Sequence, residues 1–191
     1  MLFRSFCIAD VSGKGISAAI LMSNFQASFR ALFTETIDLE LLVRKLNEIV
    51  VVNANGEKFI TVFVGRYDSS TRELEFVNAA HNPPVFRDVV TGEVRHFDAS
   101  SVGIGMLDEI PFIKVEKMKV ANHSKLVCYT DGLSELKEPD GSDIGTKYII
   151  KNISNTDPID QNIRSLIAEL GIPDNNPSMF DDVSVIAVEI S

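Results

Sequence analysis

The chain alternates between short runs of apolar and β-branched residues and longer segments in which apolar residues recur every three or four positions. The first pattern predicts strands and the second predicts helices. The predicted strands are residues 2–9, 59–67, 74–78, 85–88, 94–97, 112–120, 125–130 and 183–190. The strands at 2–9 and 125–130 are largely apolar, and we therefore expect both to lie in the middle of a sheet.

Four segments have helical periodicity. The first helix is predicted from Ile16 to about Glu35, and the second begins after Asp38, a residue type that caps helix N-termini. Two further helices are predicted at residues 147–153 and 159–170. The apolar stripe of the second helix consists of Leu39, Leu42, Leu46 and Ile49. A stripe this short is more typical of core packing than of a coiled-coil seam. Strands and helices together predict a mixed α/β layer fold rich in antiparallel hairpins.

The composition is that of a single domain. The chain has 191 residues, of which 45% are hydrophobic and 24% charged, and this length is sufficient for a two-layer core. Its apolar runs are strand-sized and no basic segment precedes them, so we expect no signal peptide, no membrane segment and a cytoplasmic location. Cys7 and Cys128 fall in predicted strands and are expected to be reduced core residues.

The formal net charge of −9 at pH 7 bears on the choice of partner. It argues against nucleic acid, because binding to the phosphate backbone requires clustered Lys and Arg. An acidic chain suits a cation site better, although the same charge is ordinary for a soluble protein.

Three aspartates stand where a predicted strand ends or begins. Asp10 follows the first strand and precedes a glycine-rich turn, Asp131 follows the seventh strand, and Asp181 precedes the last one. Each has a simpler explanation as a turn or capping residue, and Asp10 and Ser12 in particular could cap the first helix. If the three strands are neighbours, the carboxylates converge at one rim of a sheet, which is costly unless a cation neutralises them.

Four motifs follow one another along the chain. They are Asp-Val-Ser-Gly-Lys-Gly at 10–15 with Ala18, Ala19 and Met22 behind it, Asn-Ala-Ala-His-Asn-Pro-Pro at 78–84, Tyr-Thr-Asp-Gly-Leu-Ser-Glu at 129–135, and Phe-Asp-Asp-Val-Ser at 180–184. In this order and spacing they resemble the SpoIIE/RsbU-type branch of the bacterial metal-dependent serine/threonine protein phosphatases, the PPM family, over residues 3–190. The resemblance implies an α+β fold, namely an α-β-β-α sandwich of two antiparallel β-sheets flanked by helices. It also implies a binuclear Mn²⁺ or Mg²⁺ site at one end.

The resemblance also implies the ligands of that site. Asp10 matches the carboxylate that bridges the two metals, Val11 contributes its backbone carbonyl, and Asp131 and Asp181 match two further ligands. All-oxygen ligation suits Mg²⁺ or Mn²⁺ and disfavours zinc, which prefers His or Cys. In this chemistry water activated by the two metals attacks the phosphomonoester, so no nucleophilic side chain is required.

Two residues are accessory candidates by the same resemblance. His81 falls near the site in the family pattern, but a structural histidine held by backbone groups explains it equally well. Asp182, next to the proposed ligand Asp181, is the other candidate. Lys14 stands where the family commonly has His, and Ala80 where it commonly has Gly.

The family pattern includes an upstream strand with a Gly-Asp motif that these 191 residues lack. We therefore expect an N-terminally truncated SpoIIE-type domain, residues 1–191, from a longer regulatory protein with an upstream sensor domain. The exposed edge of its first strand then favours a dimer. By resemblance, the substrate is phosphoserine or phosphothreonine on a regulatory protein such as an anti-sigma-factor antagonist. The alternative is a catalytically inactive phosphatase-like module that acts by binding.

Overall fold

The structure is a computed structural model that describes residues 3–34, 36–138, 140–172 and 182–190. Its elements in chain order are β1 (Phe3–Val11), α1 (Ile16–Leu32), α2 (Leu39–Ala54), β2 (Ile60–Asp68), β3 (Glu73–Ala79), β4 (Val85–Asp88), β5 (Val94–His96), β6 (Glu116–Lys119), β7 (Ser124–Tyr129), α3 (Asp131–Ser134), α4 (Lys147–Asn152), α5 (Ile159–Glu169) and β8 (Val185–Ile190). They form two compact units. The first comprises Met1–His81 and Ala99–Lys119, and the second comprises Asn82–Asp98 and Val120–Ser191.

The first unit contains a four-stranded antiparallel sheet in the order β1-β2-β3-β6. β1 pairs with β2 along its whole length, which places Asp10 opposite Thr61. Helix α2 begins at the predicted cap, where the Asp38 side chain accepts a hydrogen bond from the Leu41 N–H at 3.0 Å. The two helices and the sheet share one apolar core. Its buried members include Leu21, Phe25, Leu39, Leu42, Leu46, Val62, Val77 and Ile104. Leu39, Leu42 and Leu46 of the predicted stripe of α2 therefore lie in the core, whereas its fourth member, Ile49, is only half-buried and the next residue, Val50, is buried instead.

The second unit contains the other sheet, also antiparallel, in the order β5-β4-β7-β8. All six residues of β7 are buried, which agrees with the central position that its apolar sequence predicts. Helices α4 and α5 cover this core with one apolar face each. Its buried members are Val85, Val127, Tyr129, Leu133, Ile149, Ile153 and Leu166.

The fold class is confirmed: the chain is α+β, with two antiparallel four-stranded sheets and helices. Both cysteines are free thiols, as predicted, and Cys128 is buried. Among the described residues, no helix is both long enough and apolar enough to cross a membrane.

Three details differ from the predictions. The first strand does not lie in the middle of its sheet, because the described part of the chain pairs it with β2 alone, and of the residues from 4 to 11 only Ile8 is buried. The strand predicted at 112–120 is regular only from Glu116, because Ile113 instead bridges to Ser101 in the loop after β5. The third difference is the short helix α3, which the sequence pattern did not predict.

Candidate metal centre

Asp10 lies at the end of β1 and is half-buried. The chain then turns through Gly13, with φ of 80°, and Gly15, with φ of 92°, angles at which glycine is favoured. Gly15 is the N-cap of α1, so the helix begins after Asp10 and Ser12, and neither of them occupies the N-cap position. The Ser12 hydroxyl bonds to Phe59 instead.

Ser12 fixes this turn to the residues just before β2. Its N–H donates to the Phe59 carbonyl at 2.9 Å, and its hydroxyl accepts from the Phe59 N–H, also at 2.9 Å. The Lys58 ammonium donates to the Ser12 carbonyl at 3.4 Å. We name these three hydrogen bonds the Ser12 clamp. No local pattern predicts the Ser12 clamp, because Lys58 and Phe59 are 46 and 47 residues away from Ser12.

Asp131 belongs to the second unit, where it is half-buried at the first position of α3. One of its carboxylate oxygens, Oδ1, accepts a hydrogen bond from the Gly132 N–H at 2.8 Å. Its carbonyl accepts from the Glu135 N–H at 2.9 Å and from the Ser134 hydroxyl at 3.2 Å. These bonds fix the backbone that carries the carboxylate.

Thr130 joins the start of α3 to the segment that leads into β8. The Thr130 hydroxyl donates to the Asp182 carbonyl at 3.2 Å and accepts from the Ser184 N–H at 2.9 Å, and the Thr130 N–H donates to the Ser184 carbonyl at 3.1 Å. The third and fourth motifs therefore meet, as neighbouring strands predict. Asp181 itself lies outside the described residues.

His81 is buried, with 3% of its surface exposed. Its Nδ1 shares a hydrogen bond of 2.9 Å with Thr61 Oγ1. Its backbone is held by Asn78, whose side chain accepts from the His81 N–H at 2.8 Å and donates to the His81 carbonyl at 3.1 Å. This network fixes the position of the histidine, and its role in the site stays a prediction.

The donor set fits a hard divalent cation. Asp10 and Asp131 offer half-buried carboxylates, and the proposed set has no thiolate or imidazole ligand, so Mg²⁺ or Mn²⁺ fits better than zinc. Within the described ranges, which leave out Asp181, no three side chains of His, Cys, Asp or Glu form a group that could hold a metal ion. Asp10 and Asp131 lie in different units.

Comparison with known proteins gives a consistent family assignment. The family model described as Stage II sporulation protein E (SpoIIE) matches residues 5–191. Protein IcfG of Synechocystis sp. (strain ATCC 27184 / PCC 6803 / Kazusa) is 25% identical over 214 residues, which cover 97% of this chain and 33% of IcfG. Phosphoserine phosphatase RsbU of Bacillus subtilis (strain 168) is 24% identical over 137 residues, which cover 72% of this chain and 41% of RsbU. The chain thus spans less than half the length of either relative.

The fold is also shared with a solved structure. The crystal structure of RsbX in complex with magnesium superposes with a TM-score of 0.71 at 16% sequence identity, covering 99% of this chain and 87% of RsbX. At this identity the likeness shows a common fold.

Proposed function

This chain belongs to the SpoIIE family, and on that premise we propose that it is a metal-dependent protein phosphatase that hydrolyses phosphoserine or phosphothreonine on a regulatory protein. The observation that carries the proposal is the Asp10 turn. Asp10 lies at the end of β1, immediately before a turn that the Ser12 clamp fixes to the residues preceding β2, and α1 begins only after Gly15.

The proposed ligands are those of the family pattern. Asp10, the Val11 carbonyl, Asp131 and Asp181 would hold a binuclear Mn²⁺ or Mg²⁺ centre. When bound, such cations supply the positive charge that screens the phosphoryl oxygens and makes water acidic enough to react at neutral pH. The magnesium in the RsbX structure supports this choice of metal class.

The residues of the chain itself supply position and charge. Asp10 stands on a strand that is paired with β2, and the Asp131 carboxylate accepts a hydrogen bond from the Gly132 N–H, so both carboxylates are carried by an ordered backbone. Thr130 holds the two last motifs side by side in the second unit. Positioning of this kind is a large part of catalysis in phosphoryl transfer, where the protein need not supply a nucleophile.

The relative RsbU supports the substrate class, since it is a phosphoserine phosphatase. We propose that the substrate is a phosphorylated regulatory protein of the anti-sigma-factor antagonist type, that the reaction takes place in the cytoplasm, and that a sensor domain in the full-length protein controls it. We do not propose nucleic acid as a partner, because a chain with a net charge of −9 is repelled by the phosphate backbone.

The test is phosphate release from a phosphoserine peptide by the purified chain. We expect turnover with millimolar Mn²⁺ or Mg²⁺ and none with EDTA. Asp131→Asn should lower kcat by orders of magnitude, because Asn keeps the shape of the side chain but removes the ligand charge. Asp98→Asn is the matched control, since Asp98 is exposed and lies in the same unit.

Two outcomes would contradict the proposal. Turnover that persists in EDTA would exclude a metal-dependent phosphatase. No turnover with either metal would favour the inactive binding module, which then has to be tested by binding to a phosphorylated partner.

A further inference from the structure

The Ser12 clamp determines which way one backbone carbonyl points. The Ser12 N–H is directed at the Phe59 carbonyl, 2.9 Å away. The peptide bond between Val11 and Ser12 is trans, and in a trans peptide the C=O points opposite to the N–H. The Val11 carbonyl is therefore directed away from Phe59 and cannot turn toward it while the clamp is intact.

The hydroxyl of Ser12 is what closes the clamp. The Ser12 N–H and the Phe59 carbonyl would form one backbone hydrogen bond with any residue at position 12. The second bond, from the Phe59 N–H to Ser12 Oγ, needs a side-chain acceptor of this length. Two bonds between the same pair of residues prevent the peptide plane from rotating about either one.

Lys58 adds a third restraint on the same turn. Besides its bond to the Ser12 carbonyl, the ammonium lies over Gly13, where an added Cβ would be 2.8 Å from Nζ. Gly13 also has φ of 80°, a conformation that other residues adopt at a cost. The turn is thus fixed immediately after the two residues, Asp10 and Val11, that the proposed function uses.

We propose that Ser12 is a positioning residue of the metal centre: through its hydroxyl bond to Phe59, it orients the Val11 carbonyl and holds the end of β1 that carries Asp10. This inference rests on the proposed function. Ser12 acts through its neighbours in the chain and is not itself a ligand. Groups that orient metal ligands in this way typically change metal affinity by about 10- to 100-fold when they are removed.

The experiment measures binding of Mn²⁺ alone to the chain by isothermal titration calorimetry. Ser12→Ala removes the acceptor and should weaken the affinity by about 10- to 100-fold. Ser12→Thr keeps a hydroxyl and should bind within about threefold of wild type. Ser70→Ala is the matched control, because the Ser70 hydroxyl also bonds within a turn of the first unit, to Asp68 at 2.6 Å, and should leave the affinity unchanged.

Metal affinity separates a positioning role from a merely structural one. A structural role would lower the melting temperature of Ser12→Ala but leave the folded fraction with wild-type affinity, and this result would overturn the inference. If Ser12→Ala does not fold, Ser12→Cys replaces it, since a thiol has nearly the same shape and accepts hydrogen bonds weakly. Wild-type affinity in that variant would equally overturn the inference.

The failure of this inference can be told apart from failure of the proposed function. If wild type binds Mn²⁺ and the Ser12 variants bind it equally well, only the positioning role is wrong. If wild type itself does not bind Mn²⁺ at millimolar concentration, the proposed metal-dependent function is wrong, and the positioning role of Ser12 is then wrong as well.

Discussion

Thr61 and His81 are joined by a hydrogen bond of 2.9 Å between Thr61 Oγ1 and His81 Nδ1. Thr61 is also the residue of β2 that lies opposite Asp10 in the β1–β2 register. The buried histidine is thus linked, through one side chain, to the strand position beside the proposed metal ligand. His81 can support the site in this way without touching a metal or a substrate.

The first prediction concerns this bond. Thr61→Val keeps the shape of the side chain but leaves the buried His81 nitrogen without the hydroxyl. We expect the free energy of unfolding to fall by about 1–2 kcal/mol, measured by urea denaturation. Thr36→Val, at an exposed position of the same unit, should change it by less than about 0.5 kcal/mol. Equal stabilities of the two variants would contradict a structural role for the bond.

The second prediction concerns Lys125, a lysine of β7 with only 1% of its surface exposed. Its ammonium donates to the Asn155 carbonyl at 2.8 Å, the Asp157 carbonyl at 2.7 Å and Asn162 Oδ1 at 2.6 Å. All three donors of the ammonium are therefore satisfied. Burial lowers the pKa of Lys125, but these oxygens make the charged form tolerable.

Lys125→Met fills the same space and leaves three acceptors without their donor. We expect the free energy of unfolding to fall by about 1–3 kcal/mol, because buried polar groups lose their partner. Lys45→Met, on an exposed face of α2, is the matched control and should have little effect. A Lys125 variant as stable as wild type would show that water replaces the ammonium at no cost.

These contacts show where prediction from the sequence succeeds. The stripe of Leu39, Leu42 and Leu46 follows the period of a helix, and the structure buries all three. The Asp38 cap is a second case, because α2 begins at the next residue and the Asp38 side chain accepts from the Leu41 N–H. In both cases the signal is local, because it lies in residues of one segment.

Prediction fails where contacts join distant segments. Lys125 stands next to an apolar run, and nothing near it in the sequence indicates that three oxygens from another segment will receive its ammonium. The partner of Gly105 is similar: its N–H donates at 2.8 Å to the Asn47 side chain, 58 residues away. The φ of 85° at this position is one that glycine favours, but no local pattern indicates that Asn47 of α2 receives its N–H.

The third prediction concerns pH and Glu75. Glu75 lies between two cations on neighbouring strands: its Oε2 is 2.6 Å from Arg66 Nη2 and its Oε1 is 2.9 Å from Lys117 Nζ. Burial tends to raise the pKa of this carboxyl, but hydrogen bonds and attraction from Lys117 and Arg66 outweigh it and hold the pKa below the ordinary value of 4.5. The folded state therefore binds the proton of Glu75 less readily than the unfolded state does.

The direction in which stability changes with pH follows from the linkage between proton binding and folding. A carboxyl whose pKa is lowered on folding contributes stability that is fully present above pH 4.5 and is lost as the pH falls through the folded pKa. Glu75→Gln should therefore be less stable than wild type by about 1–3 kcal/mol at pH 7, and the difference should shrink steadily below pH 4.5. Urea denaturation from pH 7 down to pH 3 measures it, with Glu57→Gln at an exposed position as control. A difference that is independent of pH would refute the ionic origin of the effect.

The last prediction needs no phosphorylated substrate, because it tests the metal centre through the stability of the fold. A ligand that binds only the native state adds roughly 2.7 kcal/mol at a hundredfold excess over its dissociation constant. For a chain of this size that corresponds to about 5–10 °C in melting temperature. Millimolar Mn²⁺ should therefore raise the melting temperature by a readily measured amount, and EDTA should reverse the shift.

Asp131→Asn separates metal binding from general ion effects. Asn retains an oxygen that can accept the hydrogen bond from the Gly132 N–H, so the metal-free fold should be preserved. It removes the ligand charge, so the shift caused by Mn²⁺ should become smaller. Asp98→Asn, which removes an exposed charge of the same unit, should leave the shift at its wild-type size. If both variants respond to Mn²⁺ as wild type does, Asp131 is not a ligand, and the stabilisation must come from cations bound elsewhere on an acidic surface.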